Sequence, residues 1–231
     1  LSVAPVIGDG MVPVTVRLLV SLVLAVVLLP VTRAAVPVDP FSMAGVVTTL
    51  QQVLVGGALG FAFHFTMSIV TVLGFMLSSQ IGLSMAIMND PMNGNSSDVV
   101  STLLSVLCIT IFFVIDGHLV LTGVLGASLQ AWPVGAPLAL DLHMLAMSAA
   151  WIFSAALLLA VPMVFSTMVV QIGFCFLNRV APAFNLFSLG FSLVTMFGLF
   201  MLAQVVKFVP AHYMRMMEHV LGLLHQQMRG G

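Results

Sequence analysis

Residues 142–178 read LHMLAMSAAWIFSAALLLAVPMVFSTMVVQIGFCFLN. Asp141 precedes this stretch and Arg179 follows it, so 37 residues pass without a charged side chain. A helix needs about 20 apolar residues to cross a bilayer. The run clears that length, with Pro162 placed to kink it. A helix that is apolar nearly all round needs lipid or neighbouring protein to cover it.

The rest of the chain is punctuated the same way. Uncharged gaps of 50, 17, 24 and 27 residues separate Asp39 from Asp90, Asp98 from Asp116, Asp116 from Asp141, and Arg179 from Lys207. Among all 231 residues, Lys plus Arg number 6 and Asp plus Glu number 7. Charged residues are 6% of the chain, against about 25% in a soluble domain. Such a surface cannot keep the chain in water. The composition therefore excludes disordered proteins, nucleic-acid binders and ordinary cytosolic enzymes. The class it predicts is all-α: an integral membrane protein of apolar, kinked helices and helical hairpins.

Six apolar runs are expected, at 14–29, 43–88, 99–115, 119–131, 143–177 and 184–206. Residues 17–34 mimic a signal peptide, but Pro30 and Arg33 spoil the cleavage region and further apolar runs follow. Gly56, Gly57, Gly60, Gly74 and Gly82 make the second run a candidate for a break or bend. Residues 89–98 form the clear polar loop, rich in turn formers. Asp116-Gly117-His118 is read as the turn of a tight hairpin, and Trp132-Pro133-Val134-Gly135 as a firm stop. From Lys207 onward an amphipathic helix of about 20 residues is expected. Tyr213, Met216, Met217, Val220, Leu221 and Leu224 share its apolar face; Arg215, Glu218, Gly222, Gln226 and Arg229 share the other.

Chemistry-bearing constellations are few. Gly82-Leu83-Ser84-Met85-Ala86 and Gly126-Ala127-Ser128-Leu129 fail as nucleophile elbows. Asp116 and the other aspartates sit at turns and loops, so no carboxylate pair is buried in mid-span. His64, His118, His143, His212, His219 and His225 lack metal-ligand spacing. His64 stands out because it lies inside a run, where an ionisable group is by default a functional hypothesis; a neutral His bonded to a neighbouring helix is the plainer reading. Cys108 and Cys175 are expected as buried, inert thiols. Gly56 and Gly60 form a G-x-x-x-G face that lets another helix approach. Met67, Met76, Met85, Met88 and Met92 lead into the polar loop. Met is long and deformable, so these can seal an irregular gap, or simply replace Leu. No catalytic, cofactor or metal residues are expected.

The segment Gln80-Ile81-Gly82-Leu83-Ser84-Met85-Ala86, followed by Asn89-Asp90-Pro91 and a Gly/Ser/Asn-rich loop, resembles the FliR family, the flagellar biosynthetic proteins of the type III export gate. Val12-Pro13 with Arg17, Gly117-His118-Leu119, Pro133-Val134-Gly135 and the block Leu177-Asn178-Arg179-Val180-Ala181-Pro182-Ala183-Phe184-Asn185-Leu186-Phe187 follow in the family's order. The resemblance runs from about residue 5 to 190. It departs from the family at Phe75, often acidic there, at Ile81, often Met, and at Ser192, often Pro. The family's first helix would lie upstream of Leu1.

The resemblance implies a non-enzymatic subunit of the export gate, in the bacterial inner (cytoplasmic) membrane at the flagellar basal body. It implies assembly with P-type and Q-type gate subunits into a helical ring around a channel for unfolded flagellar substrates, with the B-type export-switch protein as a further partner. Residues 1–231 would form one domain: 1–131 as N-terminal helices with a plug-like loop at 82–98, and 132–231 as a Q-type-like hairpin and tail. Gln80, Gly82, Met85, Met88, Asp90, Pro91, Met92 and Gly94 would form the plug. Gly56, Gly60, Gly117, His118, Pro133, Gly135, Asn178, Arg179 and Pro182 would serve hairpin turns and assembly. Lys207, Arg215 and Arg229 outnumber Arg179, which favours a cytoplasmic tail; the resemblance puts Arg179 at the cytoplasmic tip and the tail opposite. The injectisome counterpart and a small secondary membrane transporter are the alternatives.

Overall fold

A computed structural model describes residues 4–5, 8, 12–32, 39, 41–83, 87–89, 96–136, 142–180 and 186–230. Among them are six α-helices: α1 (Val14–Leu28), α2 (Met43–Ile81), α3 (Val99–Val114), α4 (Gly117–Ala131), α5 (Leu142–Val180) and α6 (Leu186–Gly230). The all-α class read from the sequence holds. Its one departure is a short antiparallel ribbon, β1 (Ile87–Asn89) with β2 (Ser96–Asp98), which pairs Ile87 with Asp98 and Asn89 with Ser96. Four helices, or five spans if α3 and α4 are counted as one bent span, are long and apolar enough to cross a membrane.

Helix starts and stops follow local chemistry. Pro13 precedes α1, and Pro30 lies in a 3-10 turn that closes it. Gly82 takes φ 82°, the left-handed geometry that terminates α2 without Cβ strain. Gly135 takes φ 87° in a turn where the Ala136 N–H donates to the Pro133 carbonyl at 3.0 Å.

Three expectations are corrected. The glycines of α2 do not break it: the helix runs 39 residues without interruption. A Cβ at Gly56 would meet nothing within 4 Å. Gly56 and Gly60 instead line a gap of about 20 Å³ facing Leu121 and Val124. Runs three and four do not make a hairpin, because α3 and α4 are joined by a 68° bend. The C-terminal amphipathic segment is no separate element; α6 continues through Lys207 and Pro210 for 45 residues. Its faces are as read: Tyr213, Met216, Met217, Val220 and Leu224 are buried, while Arg215, Glu218 and Gln226 are exposed.

The chain divides into two compact units. The first comprises 1–66, 109–149 and 215–231, and its core includes Phe63, Phe112, Leu121, Val124 and Val220. The second comprises 67–108 and 150–214, with Ile69, Leu73, Leu77, Leu104, Ala156 and Met163 in its core. Gly74 is the close-approach glycine of that second core. A Cβ there would lie 2.4 Å from the Ser101 Cα, so α2 and α3 touch backbone to backbone. Helix α1 contributes no buried residue.

Candidate functional site

The site is built where α2 ends. Ile81, the last residue of the helix, is 1% exposed. Its carbonyl accepts a hydrogen bond from Thr195 Oγ1 of α6 at 3.0 Å. A Cβ added at Gly198 would lie 2.8 Å from Ile81 Cγ1, so only glycine lets α6 close over this side chain. One residue earlier, Gln80 Oε1 accepts from Thr167 Oγ1 of α5 at 3.3 Å. The end of α2 is thus held by both α5 and α6, and Gly82 then turns the chain away.

The return stem is held as firmly. Asp98 ends β2 and stands one residue before α3, the position where a short acidic side chain caps a helix. Its Oδ2 accepts from the Ser101 N–H at 2.9 Å and from Ser101 Oγ at 3.1 Å. Its Oδ1 accepts from Ser78 Oγ on α2. Ser101 Oγ also lies 3.1 Å from the Thr71 carbonyl. One carboxylate therefore closes the N-terminus of α3 and ties it to α2.

Beside the end of α2 lies an open groove of about 450 Å³. Ser79, Gln80, Ile81 and Gly82 line one side; Gln171, Phe174, Cys175 and Asn178 of α5 and Gly190 and Val194 of α6 line the other. The lining carries amides and a hydroxyl but no formal charge. An amide both donates and accepts, so such a surface pairs with uncharged polar groups of either kind. Among the described residues, no group of acids, histidines and cysteines is placed to hold a metal ion.

Of the residues named for the plug, Gln80 and Gly82 come together here, joined by Asn178. Met88 falls in β1, where only its backbone is described. Met85, Asp90, Pro91, Met92 and Gly94 lie outside the described residues, as does Pro182. Arg179 is exposed in the last turn of α5. Sequence reading missed Ser78, Asp98, Thr167 and Thr195, whose hydrogen bonds to the loop stems join separate elements. It also expected Cys175 to be buried. Cys108 is, but Cys175 is exposed in the groove. An apolar run fixes a helix, not which of its faces is covered.

The bend between α3 and α4 has its own logic. Asp116 adopts φ 55°, and its carbonyl accepts from the Leu119 N–H at 2.8 Å. At Gly117 a Cβ would lie 2.4 Å from Phe112 Cδ2, which no side chain tolerates without movement. His118 stacks beside Phe113 at 5.7 Å. Its buried Nδ1 has no hydrogen-bond partner among the described residues. His64, marked by the sequence, lies on an exposed face of α2.

A predominantly helical chain with several span-length apolar helices, and with an uncharged groove at the end of α2, defines a membrane-embedded helical protein with no recognisable reaction centre among its described residues. The family of bacterial export proteins, family 1, matches residues 1–220, and the chain belongs to that family. It is 31% identical over 186 residues to the flagellar biosynthetic protein FliR of Pectobacterium carotovorum, covering 80% of this chain and 71% of that one. The FliR of Escherichia coli K12 is 28% identical over 226 residues, covering 97% and 86%. That of Caulobacter vibrioides is 30% identical over 206 residues, covering 86% and 80%. The resemblance read from the sequence is thereby upheld.

Proposed function

We propose that this chain is a non-enzymatic core subunit of the flagellar type III protein export gate. In this reading it sits in the bacterial inner membrane at the basal body. With P-type and Q-type subunits it lines a channel for unfolded flagellar substrates, next to the B-type export-switch protein. Loop 82–98 acts as the plug.

Family membership and the flagellar names of its relatives support the export role and favour it over the injectisome counterpart. The observation that carries the plug reading is the anchoring of both loop stems. Thr195 and Thr167 hold the outgoing stem, and Ser78 and Ser101 hold the returning one. A plug must be held at its base while its tip yields. Irregular backbone at membrane depth also needs protein or water around it, which subunits of a ring supply.

The test is deletion of residues 88–94 in the full chain, expressed from its own operon. Cells should then leak small solutes through the resting gate. An unchanged leak rate would remove the plug reading. Mild-detergent purification of the tagged protein should recover P-type and Q-type subunits; recovery alone, as monomer or homo-oligomer, would favour a transporter.

A further inference from the structure

Resting on the export reading above for the source of the ligand, we infer that the groove beside the end of α2 is a sequence-independent cradle for an extended polypeptide backbone. Gln80, Gln171 and Asn178 are the side chains that hold it. All three have hydrogen-bonding capacity that the described residues leave unused. Gln171 and Asn178 are exposed and make no hydrogen bond among those residues. Gln80 is engaged at one end only. Its Oε1 accepts from the buried Thr167 hydroxyl, which fixes the side chain, while its Nε2 end has no partner among the described residues. An amide taken out of water needs a partner, and three of them converge on one groove.

The chemistry of the lining selects the partner. No formal charge lines the groove, so a phosphate headgroup would find no counter-ion there. A docked helix has already spent its backbone N–H and C=O groups on itself and would offer the amides only its side chains. An extended chain keeps both groups free at every residue. A side-chain amide carries a donor and an acceptor of its own, so it matches one peptide group.

The spacing agrees. Gln171 and Asn178 are two turns apart on α5, which puts them on one face at a separation of about 10.5 Å. Polyproline II, a major conformer of unfolded chains, has three residues per turn, so equivalent backbone groups recur on one side about every 9.3 Å. One amide can thus hold residue i of the guest chain and the other residue i+3. Phe174 stands between them in the lining as an apolar floor. Across the groove, a Cβ added at Gly190 of α6 would meet nothing within 4 Å, which leaves room for guest side chains of differing size. Backbone is gripped and side chains are not, and that makes the cradle indifferent to sequence.

Cys175 lies in the same groove and serves as the reporter, with buried Cys108 as the unreactive control. The test uses the tagged full chain in cells. An export substrate is fused to a domain too stable to unfold, in a fusion that blocks export of the native substrates. A small maleimide should label Cys175 in the empty gate and about tenfold more slowly in the blocked one, since two amide contacts at about fivefold apiece keep the groove mostly occupied. Two substrates of unrelated sequence should protect alike. Gln171→Leu with Asn178→Leu, at exposed positions without hydrogen bonds, should return labelling to within about twofold of the empty-gate rate. Gln171→Asn with Asn178→Gln keeps both amides and should keep the protection.

Labelling at the empty-gate rate while the fusion blocks export overturns the cradle and leaves the export reading standing. So does a Cys175 already shielded in the empty gate, which would put a neighbouring subunit in the groove. Protection that survives the double leucine variant, or that one substrate gives and the other does not, also overturns it. Export that persists in cells lacking this chain overturns both readings.

Discussion

Single glycines carry much of the packing. At Gly117 and Gly74 an added methyl would lie 2.4 Å from Phe112 Cδ2 and from the Ser101 Cα. The Phe112 ring can shift; the α3 backbone cannot do so without dragging the helix. Gly117→Ala should therefore cost about 1–3 kcal/mol, the range for overpacked cores, read as a lower thermal midpoint in detergent. Gly74→Ala should cost more and lower the amount of folded protein recovered. Gly56→Ala is the control, since nothing lies within 4 Å of its Cβ, and its midpoint should not fall. Sequence inspection named Gly56, Gly60 and Gly117 together and could not rank them, because G-x-x-x-G spacing marks a flat face without saying whether anything lies against it. The groove offers its own probe. Cys175 is exposed and Cys108 buried, so a small maleimide should label the folded protein once, at Cys175, and not at all after Cys175→Ser.

At the scale of elements, the boundaries set by local chemistry were legible. Pro13, Pro30, the polar loop and the Pro133–Gly135 stop each fall within a residue or two of a helix end. What the sequence did not reveal was continuity. Lys207 and Pro210 read as a boundary, since Pro removes a backbone donor and crowds the preceding turn. Yet α6 passes through both, because the buried face from Val209 to Leu224 offsets that local cost. Pro210→Ala restores the missing donor and should raise the midpoint of thermal unfolding; an unchanged or lower value would mean that surrounding packing is fitted to the proline. The loop anchors were illegible for a different reason. Thr195 and Ile81 are 114 positions apart, and no periodicity links them. A serine or threonine in an apolar helix is ordinary, and only its neighbours in space reveal its partner.

At the scale of the whole molecule, composition alone gave the class, since 6% charged residues leave few soluble options. The site was half legible. Gln80, Gly82 and Asn178 were named for roles in one family and meet in one groove. The residues that fix the loop were not named. Exposed large apolar side chains run along α1, α2 and α5, among them Leu22, Val26, Leu54, Phe153 and Phe165. Lipid or other subunits must cover these faces, which is why copurification tests the whole-molecule reading.

One feature of the fold bears on the life of the protein before assembly. At about 1.5 Å per residue, the 39 residues of α2 and α5 each extend roughly 58 Å, while bilayer hydrocarbon is about 30 Å thick. Tilt and local thickening absorb only part of such an excess. A lone copy would hold long apolar cylinders projecting into water or forced flat against the membrane, either way a mark for quality-control proteases. The chain should thus be short-lived when made without its partners and long-lived beside them, with its own helix length acting as the timer.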